Sequence, residues 1–83
     1  MKVNVKCYGS VRAATGQKVV SVDVPAEATV EDALDELAAT HADFSDQRDT
    51  ELVLMREGTH VQTETILAAG DVLSVSNPPM VED

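Results

Sequence analysis

The sequence predicts an α+β fold, a mixed sheet of four to five strands packed on one main helix, and three observations lead there. A single well-marked amphipathic helix lies near the middle of the chain. Short apolar segments of strand character flank it on both sides. The whole chain has only 83 residues, a size that supports one small core and no second one.

The helix spans Thr29 to His41. Val30, Ala33, Leu34, Leu37, Ala38 and His41 recur at helical spacing and line one face, while Glu31, Asp32, Asp35, Glu36 and Thr40 point away. Thr29 followed by Asp32 has capping-box spacing, and the acids of the first turn sit at the positive end of the helix dipole. Such a short helix is marginal alone, so the flanking segments must cover its apolar face.

Met1 to Tyr8 alternates as a strand, with Val3, Val5 and Cys7 on one face and Lys2, Asn4, Lys6 and Tyr8 on the other. Val11 to Gln17 reads as a loop containing at most a helical turn, closed by Gly16, which tolerates the positive φ of a reversal. Lys18 to Val24 is the second strand, with Val20, Val22 and Val24 on its core face, and Pro25 ends it because proline donates no ladder hydrogen bond. The two strands are expected to form a hairpin against the helix.

Beyond the helix, Ala42 to Thr50 is polar and irregular, and Phe44 is its one large apolar residue, a plug for the edge of the core. Glu51 to Arg56 is apolar on both faces, which predicts a central strand. Glu57-Gly58 turns the chain into a short segment around His60 and Val61. Ile66 and Leu67 add apolar bulk, Gly70-Asp71 turns again, and Val72 to Ser76 forms a last strand. Residues 1–79 thus make one domain, and residues 80–83 an exposed, extended tail. This element order is close to the β-grasp arrangement of ubiquitin.

Composition narrows the function classes. Fifteen acids against six bases give a formal net charge of -9, which repels phosphate backbones and argues against nucleic-acid binding. Self-repulsion of this size is tolerable in high salt, where the Debye length falls to about 3 Å at 1 M. A halophilic source is the preferred reading, against an ordinary acidic protein kept soluble by its charge. No run approaches the ~18 apolar residues of a membrane span, and the N-terminus lacks a signal-peptide core, so a cytoplasmic protein is expected. A lone Cys7 allows no internal disulfide.

The residues taken singly offer no active site. Cys7 is in phase with Val3 and Val5, as a small buried hydrophobe rather than a nucleophile. His41 and His60 lack companions for a metal site or a triad. Ser10 has no nucleophile-elbow setting, the scattered glycines form no phosphate cradle, and Glu31/Asp32 and Asp35/Glu36 are a solvated face. No cofactor is expected and no enzyme activity.

The ordered combination says more. Gly9-Ser10-Val11-Arg12, Ala14-Thr15-Gly16, Thr29-Val30 with Asp32, Leu34 and Leu37, then Gly70-Asp71 and Pro78-Pro79 resemble the ubiquitin-like sulfur carriers. That family includes the small subunit of molybdopterin synthase, the thiamine-pathway carrier and the archaeal small modifier proteins. The resemblance implies a carrier whose C-terminal carboxylate is adenylated by a ubiquitin-activating-type enzyme, with ATP bound by that partner. The product is a thiocarboxylate, as in molybdopterin biosynthesis or tRNA thiolation, or a bond to lysines of target proteins. It also implies a molybdopterin-synthase large subunit as a possible partner, and a docking role for Tyr8, which matches the family's aromatic position on the outer sheet face. Pro78, Pro79, Met80 and Val81 would join it in partner binding.

Two positions depart from the family. Asn77 stands where an aromatic usually precedes the prolines, and Glu82-Asp83 fall where the family has Gly-Gly. Two extra carboxylates repel ATP phosphates, and the side chain of an activated Asp83 can capture its own acyl group as a cyclic anhydride. Glu82 and Asp83 are therefore the candidate carrier terminus on one reading. On the alternative, the chain is a conjugation-incompetent binding module for the same partners.

Overall fold

The alternation of small aliphatics and polar residues sets the sheet. In the computed structural model, which describes residues 1–48 and 50–77, strand β1 (Lys2–Cys7) turns Val3, Val5 and Cys7 inward. Strand β2 (Val19–Asp23) pairs with it antiparallel, Lys6 opposite Val19 and Val3 opposite Val22, so Val20 and Val22 join the same core layer. The expected antiparallel pair is thus made, but its connection differs: helix α1 (Gly9–Thr15), about two turns long, fills the segment read as a loop. Gly16 closes that helix with φ 73, donating its N–H to the Arg12 carbonyl.

Helix α2 (Val30–Thr40) forms where the periodicity put it, and both halves of the capping box are made. Asp32 N–H donates to Thr29 Oγ1 at 3.3 Å, and Thr29 N–H donates to Asp32 Oδ2 at 3.0 Å. The next N–H groups, those of Val30 and Glu31, reach the carbonyls of Thr65 and Thr63, each at 2.9 Å. The segment around Leu67 is thus sewn to the start of α2, which satisfies donors that a helix N-terminus leaves open. His41 is the C-cap rather than part of the apolar face.

A third helix, α3 (Ala42–Arg48), replaces the irregular stretch expected there. It forms because Phe44 drops wholly into the core, the largest of the fully buried side chains. Arg48 at its end reaches Asp35 at 3.0 Å and Glu31 at 3.6 Å across α2. Those two helix carboxylates stay largely exposed, as expected of a solvated face, and meet Arg48 at its edge.

Strands β3 (Val53–Arg56), β4 (Thr59–His60) and β5 (Val72–Ser76) complete a five-stranded sheet in the order β2-β1-β5-β3-β4. The central strand is β5, parallel to β1 and antiparallel to β3, and not the segment 51–56 as its apolar run suggested. Of β3 only Leu54 is buried, because the far side of the strand is left open to solvent. Leu67 is buried too, whereas Ile66 is 60% exposed and adds no core bulk. The core lies between one sheet face and α2, with Phe44 from α3 and Val11 from α1 closing it. Among the described residues no helix is long and apolar enough to cross a membrane.

Candidate functional site

The sheet order decides what surrounds the point where the chain leaves the domain. Because β5 runs parallel beside β1, with Cys7 opposite Val75, its end lies next to the start of α1. Tyr8 joins the two: its N–H donates to the Val75 carbonyl at 3.1 Å, and its own carbonyl accepts from the N–H groups of Val11 and Arg12. Tyr8 is also the N-cap of α1, with an extended backbone and no side-chain cap. Its side chain is 41% exposed, in keeping with the outward face predicted for it.

Asn77 carries a role that the sequence did not suggest. Its Oδ1 accepts from the Ser10 N–H at 3.1 Å, and its Nδ2 donates to Gln47 Oε1 at 3.1 Å. One short polar side chain thus ties the end of β5 to both α1 and α3. A phenylalanine could make neither bond, so the asparagine supplies hydrogen bonds of its own at this junction. The signal in the sequence was only the departure itself.

Beside Tyr8, on the β2 side of β1, lies an open cleft of about 320 Å³ lined by Lys6, Cys7, Tyr8, Arg12, Lys18 and Val19. Lys6 and Val19 face each other across the β1–β2 pair, and Val19 is 46% exposed. The Cys7 N–H donates to the Lys18 carbonyl at 2.8 Å, which closes the floor. Cys7 itself is 2% exposed. Its burial pushes the thiol pKa above the ordinary value, a trend that a hydrogen bond with Thr15 partly opposes. It packs as the small hydrophobe expected, held in its neutral form.

The histidines stay apart. Thr40 Oγ1 lies 2.9 Å from His41 Nδ1, and His60 sits exposed on β4. Among the described residues no group of His, Cys, Asp and Glu could hold a metal ion. Pro78, Pro79, Met80, Val81, Glu82 and Asp83, the remaining residues singled out from the sequence, lie outside the described residues.

A family model, that of the ThiS family, matches residues 5–78. Among solved structures, SAMP1 from Haloferax volcanii superposes with a TM-score of 0.85 at 28% identity, covering 98% of this chain and 99% of that one. A second structure of the H. volcanii small archaeal modifier protein 1 gives 0.84 at 30% identity, covering 93% and 97%. Molybdopterin converting factor subunit 1 from Pyrococcus furiosus gives 0.81 at 26% identity over the same shares of the two chains. No curated protein sequence matches the chain significantly. The mixed sheet, with its ends placed as described, is the β-grasp fold of these structures.

Proposed function

Because the chain belongs to the ThiS family, whose members share the ubiquitin-like sulfur-carrier fold, we propose that it is a carrier or modifier activated at its C-terminal carboxylate. The observation that supports this reading is the family match over residues 5–78, together with a central β5 that ends at the exposed Tyr8 junction. The activating partner holds ATP. A carboxylate oxygen attacks the α-phosphorus, pyrophosphate leaves, and the acyl-adenylate now has a leaving group that the free carboxylate lacked. A sulfur nucleophile then displaces AMP to give a thiocarboxylate, or a lysine amine displaces it to give an amide. Glu82 and Asp83 stand at the family's Gly-Gly positions and are the candidate reacting end.

The likeness to a molybdopterin converting factor subunit and to a small archaeal modifier supports the sulfur-transfer and the lysine-conjugation outcomes respectively. A molybdopterin-synthase large subunit and lysines of target proteins are the matching acceptors. Tyr8 docks the partner from the outer sheet face, with Pro78, Pro79, Met80 and Val81 threading towards the reacting centre. The acidic surface suits a halophilic cytoplasm, and a melting temperature indifferent to salt between low and molar levels would contradict that part.

The second reading is a binding module that engages the same enzymes without being activated. Glu82-Asp83 at the family's Gly-Gly positions favours it. Incubation with ATP, sulfide and the cognate adenylating enzyme separates the two: exchange of one oxygen for sulfur in the intact mass supports the carrier. Tyr8→Ala tests the docking face, which is wrong if affinity for the adenylating enzyme is unchanged.

A further inference from the structure

The chain has six Lys and Arg residues against fifteen acids, and the structure divides the six into two sets. Lys2 pairs with Asp23 at 3.2 Å, Arg48 with Asp35 and Glu31, and Arg56 with Asp71 at 3.2 Å. The other three, Lys6, Arg12 and Lys18, have no ion pair among the described residues, and all three line the cleft beside Tyr8. In a molecule so rich in carboxylates, leaving all three unpaired Lys and Arg side chains of the described residues around one opening is an arrangement that packing does not require. Each cation comes from a different element, β1, α1 and the residue leading into β2, so the convergence is a product of the fold.

We infer that this cleft is the docking site for an acidic, partly apolar peptide segment of a partner protein. The charge selects carboxylates: three cations at the rim meet an anion that the remaining surface repels. The walls select a peptide. Tyr8 and Val19 expose apolar surface there, at 41% and 46%, which an aliphatic side chain of the segment covers. Phosphate is disfavoured because it is held best where backbone N–H groups converge. Here the N–H groups of Cys7 and Tyr8 are already committed to the Lys18 and Val75 carbonyls. An incoming anion therefore meets side-chain cations alone, spread around an open cleft, as spaced carboxylates require.

Binding at this cleft stands independently, but its role in delivering the chain end to an activating enzyme rests on the carrier reading. The site lies one residue from the Tyr8–Val75 bond that fixes the end of β5. An acidic segment seated there holds the domain at the place from which the chain continues to its reacting end.

The test titrates the full chain with a capped peptide alternating leucine and glutamate, read by the amide shifts of residues 6–12 and 18–19. Tyr8 is the single tyrosine in a chain without tryptophan, so its fluorescence is a second, unambiguous readout. Lys6→Glu, Arg12→Glu and Lys18→Glu should each weaken binding about tenfold, a step of about 1.4 kcal/mol. Lys2→Glu, with the same change of net charge, should leave it nearly unchanged. Equal loss in all four variants makes net charge the cause and overturns the inference. So does pyrophosphate binding more tightly than the peptide, or peptide binding that arises only when residues 78–83 are removed, which identifies the chain's own tail as the occupant. Sulfur loading of the unmodified chain is followed alongside. Peptide binding without sulfur loading contradicts the carrier reading alone; sulfur loading without cation-dependent binding contradicts the cleft alone.

Discussion

Helices α1 and α2 bury their inner faces in the same core, yet they form for different reasons. The 11-residue α2 has a complete capping box, acids in its first turn and four buried residues at helical spacing. The 7-residue α1 has no side-chain cap and no acid in its first turn, and it buries only Val11 and Thr15. Local rules suffice for α2, whereas α1 depends on β1, β5 and Asn77, which hold its N-terminal end. The difference teaches where function can be placed: the helix that is not needed for nucleation is the one that carries Tyr8 and Arg12.

The comparison can be broken most severely at the core. Leu37→Ala in α2, a fully buried site, is expected to cost about 2–5 kcal/mol, whereas Val11→Ala in α1 should cost less, within the ~1.5–3 kcal/mol of burying a valine. Urea midpoints at unchanged m-value measure both, and a greater loss at Val11 would make α1 the organising helix. Next in size is Gly16→Ala. Gly16 holds φ 73 with nothing near its missing Cβ, so the cost is conformational alone, about 1–2 kcal/mol. Its unfolding midpoint should fall with the folded spectrum unchanged.

A smaller effect sharpens the contrast between the caps. Thr29→Ala removes a made cap and should cost about 1 kcal/mol. Tyr8→Ser puts a capping residue at an uncapped N-terminus and should leave stability level or raised, while partner affinity falls. Thermal melting and a binding titration on the same sample read the two together. A large loss of stability in Tyr8→Ser would mean that the tyrosine is there for packing.

What was legible follows the same division. The strands β1 and β2 and the helix α2 were readable because their periodicity and caps are local. Helix α3 was not, since Phe44 is the one large apolar residue in ADFSDQR and the pocket that takes it is built by the rest of the chain. The central place of β5 was also hidden: Leu52, Val53, Leu54 and Met55 look more buried than VLSVS, but strand order is set by long-range pairing. The outward placement of Tyr8 was readable from alternation. The cleft around it was not, because Lys6, Arg12 and Lys18 lie on β1, on α1 and at the lead into β2, and meet only when β2 pairs with β1. Asn77 showed itself only as an exception, and its two hydrogen bonds needed both helices in place.

The smallest expected effect concerns Cys7. Burial raises its thiol pKa in the folded chain, so the neutral form is the one that folding favours. The stabilisation is fully present below the unfolded thiol's pKa and is lost as pH rises through the folded value. Stability should therefore fall more steeply at alkaline pH in the unmodified chain than in Cys7→Ala, as read by urea midpoints across that range. Parallel curves would mean that the thiol is as well solvated as in the unfolded state.

The central claim, activation at the C-terminal carboxylate, is tested most directly by intact mass. The chain and its Glu82→Gly/Asp83→Gly variant are incubated separately with ATP, sulfide and the cognate adenylating enzyme. The carrier account predicts that both gain the mass difference of one oxygen replaced by sulfur, and that neither does so without ATP. An unchanged mass for the chain beside a loaded Gly-Gly variant contradicts it, and leaves a binding module that engages the enzyme without being activated.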